Sequence, residues 1–262
     1  LARAVFRSAD SPTIISRPYF GFELFLDVAR SDAHRLLYLE GERFINEYML
    51  LAQLVHKGDN IIDVGANIGY YLLMFEKLTG KEGRILCFEP EPDNLVELKR
   101  NISSNNLKNV TLFEAAVSET CGTVQLSPGL NGMISNDDVN SIEVDVVSLD
   151  SVIDGPINVI KVDVEGYEGQ VLEGAKGLIK EFRPRLFIEV HPFLLPKPYS
   201  TQGILDLVQE SYSSIKFYDG AVDGLTAKVA SRYANKNPVN ELKDRTKLLE
   251  RSNVFWMVCD ND

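Results

Sequence analysis

The sequence predicts a doubly wound α/β fold: a mostly parallel sheet of seven strands, with an antiparallel last strand and a short N-terminal α+β extension. Three observations carry this expectation. From Asn60 onward, short β-rich runs alternate with helical patterns, which implies parallel strands joined by right-handed crossovers. The helix following the first of these runs, Ile68 to Leu78, is almost entirely apolar and belongs inside a layered structure. The last two runs have no obvious packed crossover helix between them, so the final strand should turn back antiparallel.

In the extension, Phe22, Leu24, Leu26 and Val28 recur at period two and predict a strand over Phe20 to Val28. Leu36 to Leu39 reads as a second strand. Phe44, Tyr48, Leu51 and Val55 line one face of a helix that stops at Lys57-Gly58. The core then opens with a strand at Ile61 to Val64, a glycine turn and the apolar helix. Arg84 to Phe88 is the second core strand. Pro92 opens the next helix, which carries Leu95, Leu98 and Ile102 on one side. Val110 to Ala116 is a third strand. Extended runs at Gly122 to Leu126 and Ser141 to Val147 flank a polar loop, Pro128 to Asn140, that can serve as an exposed connection or fold over an acceptor. Asn158 to Val162 and Leu186 to Val190 are further core strands, separated by a helix bearing Val171, Leu172, Ala175, Leu178, Ile179 and Phe182. A helix near Gly203 to Ser211, a strand at Ile215 to Tyr218 and a last strand at Val254 to Cys259 complete the pattern. Between those last strands, Asp219 to Ser252 reads as a charged, solvated insertion, with a lid or subunit contact as the alternative. Residues 1–57 form the extension and 58–262 the ligand-binding domain, expected to pack as one unit.

The 262 residues suffice for one large domain, and the 45% hydrophobic and 25% charged content is that of an ordinary globular chain. A net charge of −11, without a dense basic cluster, argues against nucleic acid as a substrate. No apolar run is long enough to span a bilayer. Cys87, Cys121 and Cys259 are odd in number and widely separated, and two lie in apolar strands. Reduced thiols and a cytoplasmic location are therefore expected.

The run Asp63-Val-Gly-Ala-Asn-Ile-Gly69 lies where the first core strand meets its helix, the edge where open α/β sheets bind ligands. Gly65 permits a sharp turn and close approach of a ligand, and Gly69 permits close packing of the helix on the strand. Dinucleotide sites place a glycine between these two for the pyrophosphate, whereas this chain has Asn67. Asp63 adds negative charge where phosphate is unwelcome and matches an ammonium instead. Glu89, ending the second strand, is placed to accept both hydroxyls of a ribose. The ligand implied is an adenosine carrying an amino acid.

Four blocks in order, Asp63-Val-Gly-Ala-Asn-Ile-Gly-Tyr70, Phe88-Glu-Pro-Glu-Pro92, Ile160-Lys-Val-Asp-Val-Glu-Gly166 with Glu168, and Ile188-Glu-Val-His191, resemble the FkbM-type methyltransferases. Glu47-Tyr48 resembles the acidic-aromatic pair that precedes the family's first strand. The resemblance implies the Rossmann-like class I methyltransferase fold, whose sheet ends in an antiparallel strand. It also implies S-adenosylmethionine as methyl donor and O-methylation of a sugar, glycan or polyketide-like acceptor. The cofactor-binding set expected is Glu47, Asp63, Gly65, Ala66, Asn67, Gly69, Glu89, Pro90, Ala116 and Asp163.

The expected catalytic set is Asp163, Glu165, Glu189 and His191, which lie at the carboxyl ends of two strands that should be neighbours. An acceptor hydroxyl must lose a proton as the methyl moves, and His191 is the best base by residue type, since an imidazole titrates near neutrality. These groups can also hold a divalent ion, although the resemblance does not require one and no metal ligand is assigned. Lys161 serves a core-edge structural role or a substrate contact. Two other classes compete: a nicotinamide-dependent oxidoreductase, disfavoured by Asn67, and a non-catalytic module that binds S-adenosylmethionine, disfavoured by the two intact polar pairs.

Overall fold

The computed structural model describes residues 14–30, 32–40, 45–128, 141–219, 241–243 and 253–261. A hairpin of β1 (Ile14–Tyr19) and β2 (Phe22–Asp27) is followed by helices α1 (Asp32–Glu40) and α2 (Ile45–Leu54). The core elements then run β3 (Asn60–Val64), α3 (Tyr70–Thr79), β4 (Arg84–Phe88), α4 (Pro92–Ser104) and β5 (Val110–Phe113). Three short strands follow, β6 (Ala116–Val117), β7 (Gly122–Leu126) and β8 (Ile142–Val147), with α5 (Leu149–Val152) after them. The chain continues with β9 (Val159–Val162), α6 (Glu168–Glu173), α7 (Lys176–Phe182), β10 (Arg185–Val190), α8 (Thr201–Gln209), β11 (Ser214–Asp219) and β12 (Phe255–Asp260).

Seven strands form the central sheet in the order β11-β12-β10-β9-β3-β4-β5. β12 runs antiparallel to both neighbours, and the pairs among β10, β9, β3, β4 and β5 are parallel. The expected architecture is therefore present, and the last strand enters the sheet between β10 and β11. Alternation along each core strand sends residues to two apolar layers. Ile62, Val64, Leu86, Phe88, Ile160 and Val162 pack with α6, α7 and α8 on one side. Ile61, Ile85, Cys87 and Phe187 pack with α3 and the N-terminal hairpin on the other.

Four local expectations are corrected. Leu36 to Leu39 is helical, within α1, because four apolar residues are too few to fix a period. Phe20 and Gly21 make the turn of the hairpin, with φ of 49° and 93°, so the strand expected from Phe20 starts at Phe22. The strand expected over Val110 to Ala116 breaks after Phe113. Ala116 and Val117 pair instead with β8, in a three-stranded sheet with β7. The single helix expected around Val171 to Phe182 is two helices, separated at Gly174-Ala175. Most of the Pro128 to Asn140 loop and of the 219–252 insertion lies outside the described residues.

The hairpin is tied to α4 in an unusual manner. Glu97 and Asn101 on the helix and Asn105 at its C-cap recur every fourth residue, and β2 meets them at every second residue. Asp27 N donates to Glu97 Oε2 (3.2 Å), Phe25 N to Asn101 Oδ1 (2.8 Å) and Glu23 N to Asn105 Oδ1 (2.8 Å). The amides of Asn101 and Asn105 return bonds to Phe25 O and Glu23 O. The fit is geometric: four helical residues rise about 6 Å, close to the roughly 6.8 Å spanned by two strand residues. A polar stripe on the helix thereby satisfies the outer edge of β2 as a neighbouring strand would.

Candidate active site

The register of the parallel strands sets out the site. Asp63 lies level with Cys87 on β4 and with Lys161 on β9, and Lys161 lies level with Phe187 on β10. Two residues further along each strand, on the same face, come Glu89, Gly65, Asp163 and Glu189. Four of the expected residues thus form one row across the carboxyl edge of the sheet.

At the β4 end of this row the turn after β3 is closed by its own hydrogen bonds. Gly65 N and Ala66 N both donate to Phe88 O (3.0 Å each), and Gly69 N donates to Ala66 O (2.9 Å). Asn67 N donates to Glu89 Oε2 (2.8 Å), and Ile68 N donates to Asn67 Oδ1 (2.8 Å). Asn67 has a φ of 50°, so its side chain caps a turn that a glycine would leave open. All five amides from Gly65 to Gly69 are therefore engaged by the protein, and none is left to bind a diphosphate.

Gly65 makes the sharp turn expected of it, but the neighbours that the two glycines admit differ from those expected. A Cβ on Gly65, whose φ is +76°, would lie 1.9 Å from the Asp163 carbonyl oxygen, so it is the adjacent strand that approaches the main chain. A Cβ on Gly69 would lie 2.8 Å from Leu98 Cδ1, which makes this glycine a contact between α3 and α4.

Glu89 is 4% exposed. Its Oε1 accepts from Glu91 N (2.9 Å) and Asn94 Nδ2 (3.1 Å), while among the described residues Oε2 accepts from Asn67 N alone. Burial pushes its carboxyl upward, and these three donors oppose that shift. A carboxylate offers about four acceptor positions, so room remains on Oε2 for a ligand hydroxyl. Pro90 follows Glu89 and is half-buried; Ala66 is buried beneath the turn. Ala116 is buried in the small sheet beside Val146, beyond the end of β5.

Beneath the row, Asp63 is fully buried and pairs with Lys161 Nζ at 3.0 Å. The ammonium also lies 3.6 Å from Asp163 Oδ2, donates to Gly65 O (2.8 Å) and sits 4.6 Å from the centre of the Tyr71 ring. Burial alone would pull Lys161 down, but the charges of Asp63 and Asp163 outweigh it and hold the ammonium above the usual lysine range. Asp63 therefore already has a cationic partner within the protein, whereas the Asp163 side chain remains 15% exposed.

At the β10 end, Asp163, Glu189 and His191 each present an atom within 4.8 Å of the others. Such a set suits a divalent ion as well as a proton relay. His191 Nδ1 lies 2.7 Å from Oε1 of Glu168, which is fully buried, and His191 Nε2 lies 3.5 Å from Glu165 and 3.8 Å from Glu189. Glu165 reaches this position with a φ of 50°, a backbone conformation that costs a non-glycine residue about 1 kcal/mol or more. Glu47 is buried on α2, and its charge acts on Glu189. Glu47 thus belongs with this chemical end.

The electrostatics differ from those of a free histidine. Burial lowers the affinity of His191 for its proton, but the Glu168 hydrogen bond and the charges of Asp163, Glu168 and Glu165 raise it to about 9. Glu189 is pushed up to about 8, by burial first and then by the charge of Asp163, with His191 opposing. Under the protein's own charges alone, both groups carry a proton at neutral pH. Glu168, Asp163 and Glu165 thus move His191 above the near-neutral range of a free imidazole.

A model described as the methyltransferase FkbM domain matches residues 63–213, more than half of the chain and all but one of the expected site residues. The chain belongs to the FkbM methyltransferase family. Among curated relatives, it is 28% identical to hexuronic acid methyltransferase AglP of Haloferax volcanii over 170 residues, 62% of this chain and 68% of AglP. It is 27% identical to methyltransferase 1 of Beauveria bassiana over 143 residues, 44% of this chain and 57% of that relative. Among solved structures, Methyltransferase FkbM from Methylobacillus flagellatus superposes with a TM-score of 0.48 at 19% identity, covering 87% of this chain and 55% of that one. The family match and the curated relatives make the protein a methyltransferase. Its site includes two groups to which sequence reasoning assigned no role, Glu168 and Asn94. Glu168 falls within a matched block but is an ordinary first-turn helix residue by pattern. Asn94 carries no signal until the fold brings it against Glu89.

Proposed function

We propose that this methyltransferase uses S-adenosylmethionine to methylate a hydroxyl of a sugar, glycan or polyketide-like acceptor. One observation carries the reading: the row in which Glu89, Gly65, Asp163 and Glu189 stand side by side, with a diol acceptor at one end and proton-binding groups at the other. The residues fit an adenosine-bearing sulfonium. Glu89 would hold the ribose hydroxyls, and Asp163 offers negative charge to a cation. The closed turn, with its five engaged amides, disfavours the pyrophosphate of a nicotinamide dinucleotide.

The donor supplies an activated methyl group, so most of the acceleration comes from alignment with the acceptor oxygen. The protein must also receive the hydroxyl proton. Glu189 and His191 are the groups that exchange protons at this position. A positive charge brought beside them lowers the proton affinity of both, which turns a protonated pair into one able to accept. Glu168 holds His191 in orientation throughout. The name of AglP, a hexuronic acid methyltransferase, supports a sugar as acceptor. The test is methyl transfer from labelled donor to a panel of monosaccharides, uronic acids and polyketide hydroxyls. Labelled methyl ether is the expected product; a labelled methylamine would overturn O-methylation, and a labelled methyl ester would overturn a hydroxyl as the acceptor.

A further inference from the structure

We propose that Arg30, in the extension outside the matched family domain, is a positioning residue that shapes the ribose-binding carboxylate. The proposal rests on the reading of Glu89 given above. Arg30 lies just after β2, which the stripe of Glu97, Asn101 and Asn105 fixes against α4. Its guanidinium spans three acceptors: Nη1 donates to Glu97 Oε1 (3.0 Å), and Nη2 donates to Glu91 Oε1 (3.2 Å) and Asn94 Oδ1 (2.8 Å).

The bond to Asn94 decides the matter. An amide has one accepting end and one donating end. With Oδ1 held by a permanent cation, Nδ2 must face the other way, where it donates to Glu89 Oε1 (3.1 Å) and Glu91 Oε2 (3.0 Å). Glu91 N donates to the same Glu89 oxygen, so both links from Arg30 end on Oε1. Oε1 is thereby saturated by the protein, and Oε2, with the single bond from Asn67, is turned toward the ligand side.

Charge points the same way. Glu89, Glu91 and Glu97 are all buried, with exposures of 4%, 1% and 4%. Arg30 is the guanidinium paired with two of them, and His34 Nδ1 approaches Glu97 at 3.6 Å. Removing the cation leaves three carboxylates to repel one another in a poorly solvated corner, which favours a protonated Glu89 that accepts hydroxyls less well. A segment outside the family's matched domain thus completes the adenosine side of the site.

Titration of the full chain with S-adenosylhomocysteine and its 2′-deoxy analogue separates this role from simple docking of the hairpin. Arg30→Met is expected to weaken S-adenosylhomocysteine binding about tenfold and to erase most of the preference over the deoxy analogue. Arg30→Lys should fall between, since one ammonium cannot span three acceptors. Asn105→Ala removes a docking contact of β2 without touching the relay, so it should keep both affinity and preference. If Arg30→Met does not fold, Asn94→Leu preserves the ion pairs, and the same loss of preference is expected. Unchanged preference in Arg30→Met or Asn94→Leu would overturn the proposal, as would an equal loss in Asn105→Ala. Wild-type protein that binds both ligands equally would instead overturn the ribose reading of Glu89.

Discussion

The two ends of the site are both built from crowded carboxylates, and they are compensated in opposite ways. At the β4 end, Glu89, Glu91 and Glu97 are answered by Arg30, whose charge is permanent, and by a closed set of hydrogen bonds from Asn94, Asn67 and Glu91. At the β10 end, Asp163, Glu165, Glu168 and Glu189 surround His191, with Lys161 beneath. There the excess negative charge is met by retained protons, on His191 up to about 9 and on Glu189 up to about 8. A fixed cation makes a rigid reader of hydroxyls. A titratable one makes a place where protons are exchanged. Under the proposed function, the same residue type serves binding at one end and chemistry at the other.

Substitutions at the two ends should separate along that line. The largest effect is expected for Glu189→Gln or His191→Gln, each lowering turnover by about 10²–10⁴-fold while donor binding persists. Turnover assays combined with calorimetry check this, and unchanged turnover in both variants would remove the proton relay. Glu89→Gln should do the reverse, weakening S-adenosylmethionine binding roughly 10–100-fold through lost charge-assisted bonds while saturated turnover changes little. Equilibrium binding against turnover at saturating donor distinguishes the two.

A smaller effect concerns stability. His191 binds its proton more tightly in the fold than its ordinary 6.5, so its contribution is full below 6.5 and is lost as pH rises through about 9. Glu189 is also raised, from 4.5 to about 8, so its carboxylate form opposes folding increasingly across that interval. Thermal unfolding should therefore show stability falling from about pH 4.5 to about 9, and His191→Gln should make the fall shallower above 6.5 while the Glu189 part remains. A wild-type profile already flat there contradicts the assigned shifts.

How much of this was legible in the sequence follows from range along the chain. The glycine turn, Glu89 and the polar ends of β9 and β10 are each local patterns at strand ends, and a parallel sheet aligns such ends by construction. Each of Glu89, Gly65, Asp163 and Glu189 was therefore legible as a strand-end residue, while their alignment in one row comes from the register of the sheet. What sequence could not show depended on distant packing. Asp63 looks like a ligand-facing charge until Lys161 is found against it. His191 looks like a neutral-range base until Glu168 and its acidic neighbours surround it. Arg30 and Asn94 stand more than 60 residues apart, and only the docking of β2 on α4 joins them. Leu36 to Leu39 failed for a simpler reason, since a short apolar run specifies burial without specifying a period.

The most direct test of the account is calorimetric titration with S-adenosylmethionine and with S-adenosylhomocysteine near pH 7.5, each in two buffers of different ionisation enthalpy. The sulfonium brings a positive charge that the thioether lacks. Both ligands are expected to bind and S-adenosylmethionine to release more protons, with the excess abolished in Glu189→Gln combined with His191→Gln. Equal proton release by the two ligands in the wild-type protein would contradict the account.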